Sequence, residues 1–205
     1  MAENFSSSDV LVTAANILYA PKGTALPDET TVAWNDFDSW PSGWEHLGYT
    51  ASPARTTYTY DVFELGVEQS TSPIIQRKTN ERATTDIALS QFSADNLALV
   101  TDGTVTSTAA GASQKAYDKV VTGGSPYLPE YMFALEGYRP ANTGGSEQPV
   151  RIFFYRGTIR LNGSIEFAKG AGTNIPAQIT ALADPTKAVG AQLMEAHIVT
   201  NPATS

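Results

Sequence analysis

The chain has no cysteine among its 205 residues, which excludes a disulfide framework, a thiolate nucleophile and a thiolate-bound zinc. Charge is scarce too: Asp, Glu, Lys and Arg make up 17% of the residues, against ~25% in soluble domains generally. A surface short of charge and rich in Thr, Ser, Ala and Gly is weakly guarded against association. Cations are outnumbered 13 to 21, giving a net charge of −8, so nothing invites binding to a phosphate backbone. On charge alone, that excess serves solubility. No apolar run approaches the ~20 residues that a membrane-crossing helix needs. The opening residues, Met1 to Asp9, are polar and lack the basic-then-apolar pattern of a secretion signal. The chain therefore reads as soluble and non-secreted.

Chemistry-bearing motifs are equally sparse. The two histidines, His46 and His197, lie far apart, and neither has a carboxylate at a motif spacing. No zinc-protease, nucleophile-elbow, phosphate-loop or dinucleotide fingerprint occurs. Gly170-Ala171-Gly172 has no lysine at the phosphate-binding position and reads as a flexible loop. Asp36 and Asp38 resemble the start of a calcium loop, but Trp40 stands where the third ligand belongs. The expectation is no catalytic residue, no cofactor and no metal.

What is present is β-structure. Twelve Pro and 16 Gly punctuate short alternating segments. Strands are expected at about 10–20, 56–68, 83–90, 115–121, 130–138, 150–161, 164–168, 175–183 and 193–199. The run Ile152-Phe153-Phe154-Tyr155 is apolar on both faces, so it must be covered on both sides. One helix is expected over 94–101, with Ser93 as N-cap, Asp95 in its first turn, Gly103 past its end and Phe92 stapled to Leu97. A low-complexity loop is expected at 103–114. The fold class is mainly β, a sandwich or barrel, in one domain spanning 1–205, with an N-terminal arm (1–9), a loop region (21–46) and a C-terminal tail (200–205).

Residues 56–68 place Tyr58, Tyr60 and Val62 on one face and Phe63, Leu65 and Val67 on the other. Such a switch implies a bulge, or different neighbours along the strand's length. A tight polar tip follows, Gln69, Ser70, Thr71, Ser72 and Pro73, and then Ile74 and Ile75, which need cover. The hairpin from Glu64 to Lys78, Glu68 included, is thus a candidate contact between subunits. Trp34, Trp40 and Trp44 all fall in the 21–46 loop and read as anchors pinning it to the core or to a neighbour. A glycan platform is the alternative. At 159–167, a three-residue loop Asn162–Ser164 would pair Leu161 with Ile165, Ile159 with Phe167, and Arg160 with Glu166, burying four apolar groups on one face.

The segments NILYAPKGTALPDET (16–30), PSGWEHLGYT (41–50), VFELGVEQSTSPIIQRKT (62–79), FSADNLALV (92–100) and IPAQITALADP (175–185) together resemble major tail proteins of siphophages, particularly those with actinobacterial hosts. The resemblance implies a tail tube fold with one helix, a long hairpin and flexible terminal arms. It implies hexameric rings stacked into a tube through which DNA passes without sequence-specific binding. The partners it implies are further copies of the chain, a tape measure protein, and tail terminator and distal tail proteins. It places the protein in the virion tail, after assembly in the host cytoplasm. A terminator or decoration protein of the virion would share the β-richness.

Overall fold

The computed structural model describes residues 13–139, 147–170 and 172–200. Ten strands and one α-helix follow one another: β1 (Asn16–Pro21), β2 (Glu45–His46), β3 (Arg55–Leu65), β4 (Ile75–Leu89), α1 (Ala94–Thr101), β5 (Gly103–Thr108), β6 (Tyr117–Thr122), β7 (Tyr131–Arg139), β8 (Gln148–Leu161), β9 (Ile175–Ala181) and β10 (Met194–Ile198). The protein is mainly β and sandwich-like, as its alternation requires. Eight strands form one antiparallel sheet in the order β2-β1-β7-β8-β9-β4-β3, with β10 also paired to β8; β5 and β6 form a separate ribbon. No helix among the described residues is long and apolar enough to cross a membrane.

The long strand β8 organises the sheet. One edge pairs with β7, while its other edge takes β10 along 150–154 and β9 along 157–161. Its middle is buried on both faces, as the run of apolar residues demands. Phe154 joins Ile17, Phe133, Leu135, Ile87 and Ile179 in the larger core, against which Leu97 and Leu99 of α1 pack. Phe153 points the other way and joins Leu18, Ala134, Val32 and Trp40, with Leu26, Phe37 and Trp44 packed around them. The loop between β1 and β2 is therefore the lid of the second core.

The helix occupies the expected residues because its signals are local. Ser93 Oγ accepts the Asn96 amide N–H at 3.1 Å, and Asn96, buried, donates its side-chain amide to the carbonyls of Leu47 and Gln91. The end differs. Asp102, not Gly103, takes the left-handed conformation (φ 52°). Gly103 already starts β5, where a Cβ would sit 3.0 Å from Val120 Cγ1 and 3.2 Å from the Val121 carbonyl. Phe92 meets Phe167 edge-on at 6.1 Å and stays half-exposed, whereas Leu97 packs into the core.

Four expectations need correction. The segment 103–114 is not all loop, because Gly103–Thr108 pairs with Tyr117–Thr122 throughout. The expected strand at 83–90 and the return of the chain through Ile74 and Ile75 are one element, since β4 runs unbroken from Ile75 to Leu89, carried through a polar stretch by its pairing with β3. The first strand starts at Asn16 among the described residues, while 1–12, including the arm 1–9, lie outside them. The tail 201–205 lies outside them as well. Finally, 164–168 is no strand: Leu161 pairs with Ala177, Ile159 with Ile179 and Arg160 with Gln178. The segment 175–181 offers four apolar side chains at strict alternation, all buried, while 162–174 has no such run: Ile165 and Phe167 are its large apolar residues, set among small and polar ones. The better-patterned strand wins the edge of β8. Phe167 is left 81% exposed.

Candidate interaction surface

The hairpin β3–β4 projects beyond the sheet. At its base β4 pairs with β9 on one side, over Thr84–Leu89, and with β3 on the other. Among the described residues, the ribbon beyond Ala83 has only its own two strands, so both its edges are unpaired there. An isolated two-stranded ribbon is marginal in water, and free edges are templates for pairing with another chain. Every residue from Arg55 to Arg82 is exposed. Eight of them are large and apolar: Tyr58, Tyr60, Val62, Phe63, Leu65, Val67, Ile74 and Ile75.

The expected change of face is real, and a bulge accompanies it. Thr59 pairs with Arg82 but Asp61 with Thr79, so β4 carries one residue more than β3 between these pairs. Asn80 takes the left-handed conformation there (φ 52°), which an Asn tolerates better than most side chains, and donates to Asp61 Oδ2 at 2.9 Å. Beside it the Lys78 ammonium lies 4.5 Å from the Tyr60 ring centre and 5.7 Å from that of Tyr58. Farther out, Gln76 donates to Glu64 Oε1 at 2.6 Å. The tip closes through the Ile74 amide to the Leu65 carbonyl (2.8 Å) and the Ser70 amide to the Val67 carbonyl (3.1 Å). Ser70 Oγ bridges the Ser72 amide and carbonyl. Glu68, Gln69, Thr71 and Pro73 stand exposed on this tip, next to Ile74 and Ile75.

The three tryptophans separate. Trp40 and Trp44 meet edge-on at 5.3 Å, and each lies 6.2 Å from Phe153, so both turn inward onto the sheet. Trp40 is only 6% exposed, and Trp44 Nε1 donates to the Ala25 carbonyl. A sugar-stacking platform needs free ring faces, which this pair does not offer. Trp34 lies apart, 4.9 Å from Tyr138.

Sequence reasoning passed over the group that holds this loop down. Arg151 is fully buried on the same side of β8 as Phe153. Its Nε and Nη2 donate to Glu136 Oε1 at 3.0 and 2.8 Å, its Nη1 donates to Glu29, and Nη2 also reaches the carbonyls of Val32 and Ala33. Its guanidinium lies 5.2 Å from the Trp40 ring. Glu29 in turn faces His197 Nδ1 at 2.9 Å, tying in β10. Burial pushes the Glu136 carboxyl up, while the Arg151 donors hold it down. The available signal was an arginine inside a strand buried on both faces, since such a charge must be paired.

A family model described as phage tail tube protein matches residues 1–205. No curated protein matches the chain.

Proposed function

The chain belongs to the phage tail tube protein family, and on that premise we propose that its copies close into six-fold rings that stack into a hollow tube conducting DNA during ejection. Membership makes it a structural component of the phage virion, a tail tube subunit whose copies assemble into a tube. The observation that carries the finer reading is the projecting β3–β4 ribbon, with eight large apolar side chains exposed on an element with two free edges. We assign Glu64, Glu68–Ile75 and the flanking strands to contact between subunits. Trp40 and Trp44 are the loop's internal anchors, and Trp34 the outlying one. The whole chain acts as one tail tube domain.

The net charge of −8 supports passage of DNA without adhesion, since like charges repel. Tape measure, terminator and distal tail proteins complete the partners of this reading, and assembly takes place in the host cytoplasm. The sequence segments that resemble siphophage proteins of actinobacterial hosts support a long flexible tail of that kind. Negative-stain microscopy of concentrated, seeded protein tests the proposal, with six-fold rings and tubes expected. Deleting 69–72 should abolish the polymers and leave the β circular-dichroism signal intact. Tubes of normal length from the deletion would remove the hairpin from assembly, and strictly monomeric wild-type protein would remove the tube.

A further inference from the structure

We infer that the β3–β4 ribbon is a two-sided connector that engages two different neighbouring copies, the base half through one face and the distal half through the other. The inference rests on the ribbon's assignment to subunit contact and adds which residues meet which neighbour.

Cross-strand pairing fixes the faces. Tyr58 stands opposite Ala83, on the side that continues inward through Thr85, Ile87 and Leu89 into the main core. Thr56 and Thr85, hydroxyl to hydroxyl at 2.9 Å, mark the same face. Tyr60 and Val62 follow it outward by the period of two. The base patch is therefore an extension of the core face past the edge of the domain, half-exposed because the body ends there. Leu65 stands opposite Ile75, and Phe63 opposite Arg77, on the reverse side. On that reverse side the base is polar: Arg55, Thr57 and Thr59 opposite Asp86, Thr84 and Arg82. Each half has one apolar face, and the two faces point in opposite directions.

The amounts suit a partner rather than solvent. Exposures of 36–55% across the eight side chains leave roughly 600 Å² of largely apolar surface, about 300 Å² for each neighbour, the apolar part of an interface whose standard share is ~800 Å² per partner. Position then divides it. From Tyr58 to Leu65 the strand advances ~23 Å, so the base patch lies flush with the domain and the distal patch lies well beyond it. A neighbour seated on the base patch packs beside the body, against a surface continuous with the core. A neighbour on the distal patch approaches from the opposite side and farther out. Stacked rings need two distinct head-to-tail contacts, one that closes by rotation and one that translates along the axis. The base face supplies the first and the distal face the second. The occupant of both is another copy of this chain, because the family assembles into a tube of like subunits.

The absence of cysteine makes the test clean. Tyr60→Cys and Leu65→Cys each carry a maleimide-linked photocrosslinker, singly and together, and are diluted into a large excess of wild-type protein before polymerisation. Each single variant should give covalent dimers, with different partner peptides in the two cases. The doubly labelled copy should give covalent trimers. Dimers alone from the double variant would show one neighbour embracing both faces and would overturn the inference while keeping the ribbon as a contact. Polymers that yield no crosslink from either position would overturn both. As a second readout, Phe63→Ser with Leu65→Ser should arrest assembly at closed rings, and Tyr58→Ser with Tyr60→Ser before ring closure. Arrest of both at one and the same species would refute the division of labour. All four positions are exposed in the monomer, so thermal melts of the variants should match wild type.

Discussion

Replacing Arg151 by methionine should destabilise the subunit more than any surface change. The guanidinium is fully buried, makes two hydrogen bonds to a fully buried Glu136, and also holds Glu29 and the carbonyls of Val32 and Ala33. Methionine fills much of the volume but leaves the Glu136 carboxylate in the interior with, among the described residues, only Asn16 and the Asn35 amide as donors. Breaking a buried pair from one side costs about 3–5 kcal/mol, mainly through the stranded charge. For a domain of this size that is a fall in Tm of roughly 6–20 °C. Urea unfolding followed by circular dichroism and tryptophan fluorescence, below the polymerisation concentration, measures it. Adding Glu136→Gln should restore most of the loss, because the amide removes the charge and keeps an acceptor for the Asn35 amide. The pH dependence has a definite sign. In the single variant burial holds the Glu136 carboxyl above its unfolded value, so stability is present below that value and is lost as pH rises through the folded one. The deficit against wild type should therefore shrink towards about pH 4 and be full at neutral pH. A loss below about 1 kcal/mol, or a double variant no better than the single, would refute a stranded charge as the cause.

Ser93→Ala removes the acceptor of the Asn96 amide and should cost about 1 kcal/mol in chemical denaturation, with Ser93→Gly milder. Glu130 accepts from Arg156 Nε and Nη2, with Lys22 nearby, and this holds its carboxyl down to about 2. That contribution is fully present above the ordinary value of 4.5 and is lost as pH falls from there through about 2. Glu130→Gln should accordingly lower stability at neutral pH and flatten this part of the acid-unfolding curve, so that variant and wild type converge as pH falls towards about 2.

Much of the fold was legible because its signals are local. The helix is announced by Ser93 and ended by a change in pattern within a residue of the expected place. Strands β4 and β9 show their alternation openly in Ala83-Thr85-Ile87-Leu89 and Ile175-Ala177-Ile179-Ala181. Strand β5 hid because Thr, Ser and Gly carry no hydrophobic contrast, and its pairing with β6 had to be seen in space. The outer part of β4 hid for a similar reason. Its polar residues look like a loop, and only the register against β3 makes them a strand. The Arg151 cluster was out of reach of any local pattern, since its partners lie 15 to 122 residues away in sequence. The hairpin of the candidate surface, by contrast, was readable from the opposed Tyr58-Tyr60-Val62 and Phe63-Leu65 sets, because period two assigns faces without knowing the partner.

The ribbon has a kinetic consequence as well. Strand β1 pairs with β7, bringing together groups 120 residues apart, and β4 meets β9 across 92. The β3–β4 connection is short by comparison, running from Leu65 at the end of β3 to Ile75 at the start of β4. Loop closure favours the short connection, so the ribbon can form while the body around β8 is still incomplete. A sticky two-stranded element that precedes its own domain invites premature pairing between nascent chains. Arg55, Asp61, Glu64, Arg77, Lys78, Glu81 and Arg82 interrupt its apolar side chains along both strands, and the Asn80 bulge distorts the edge that a stray strand would copy. The charges and the bulge thus guard a ribbon that forms early against copying by a stray strand.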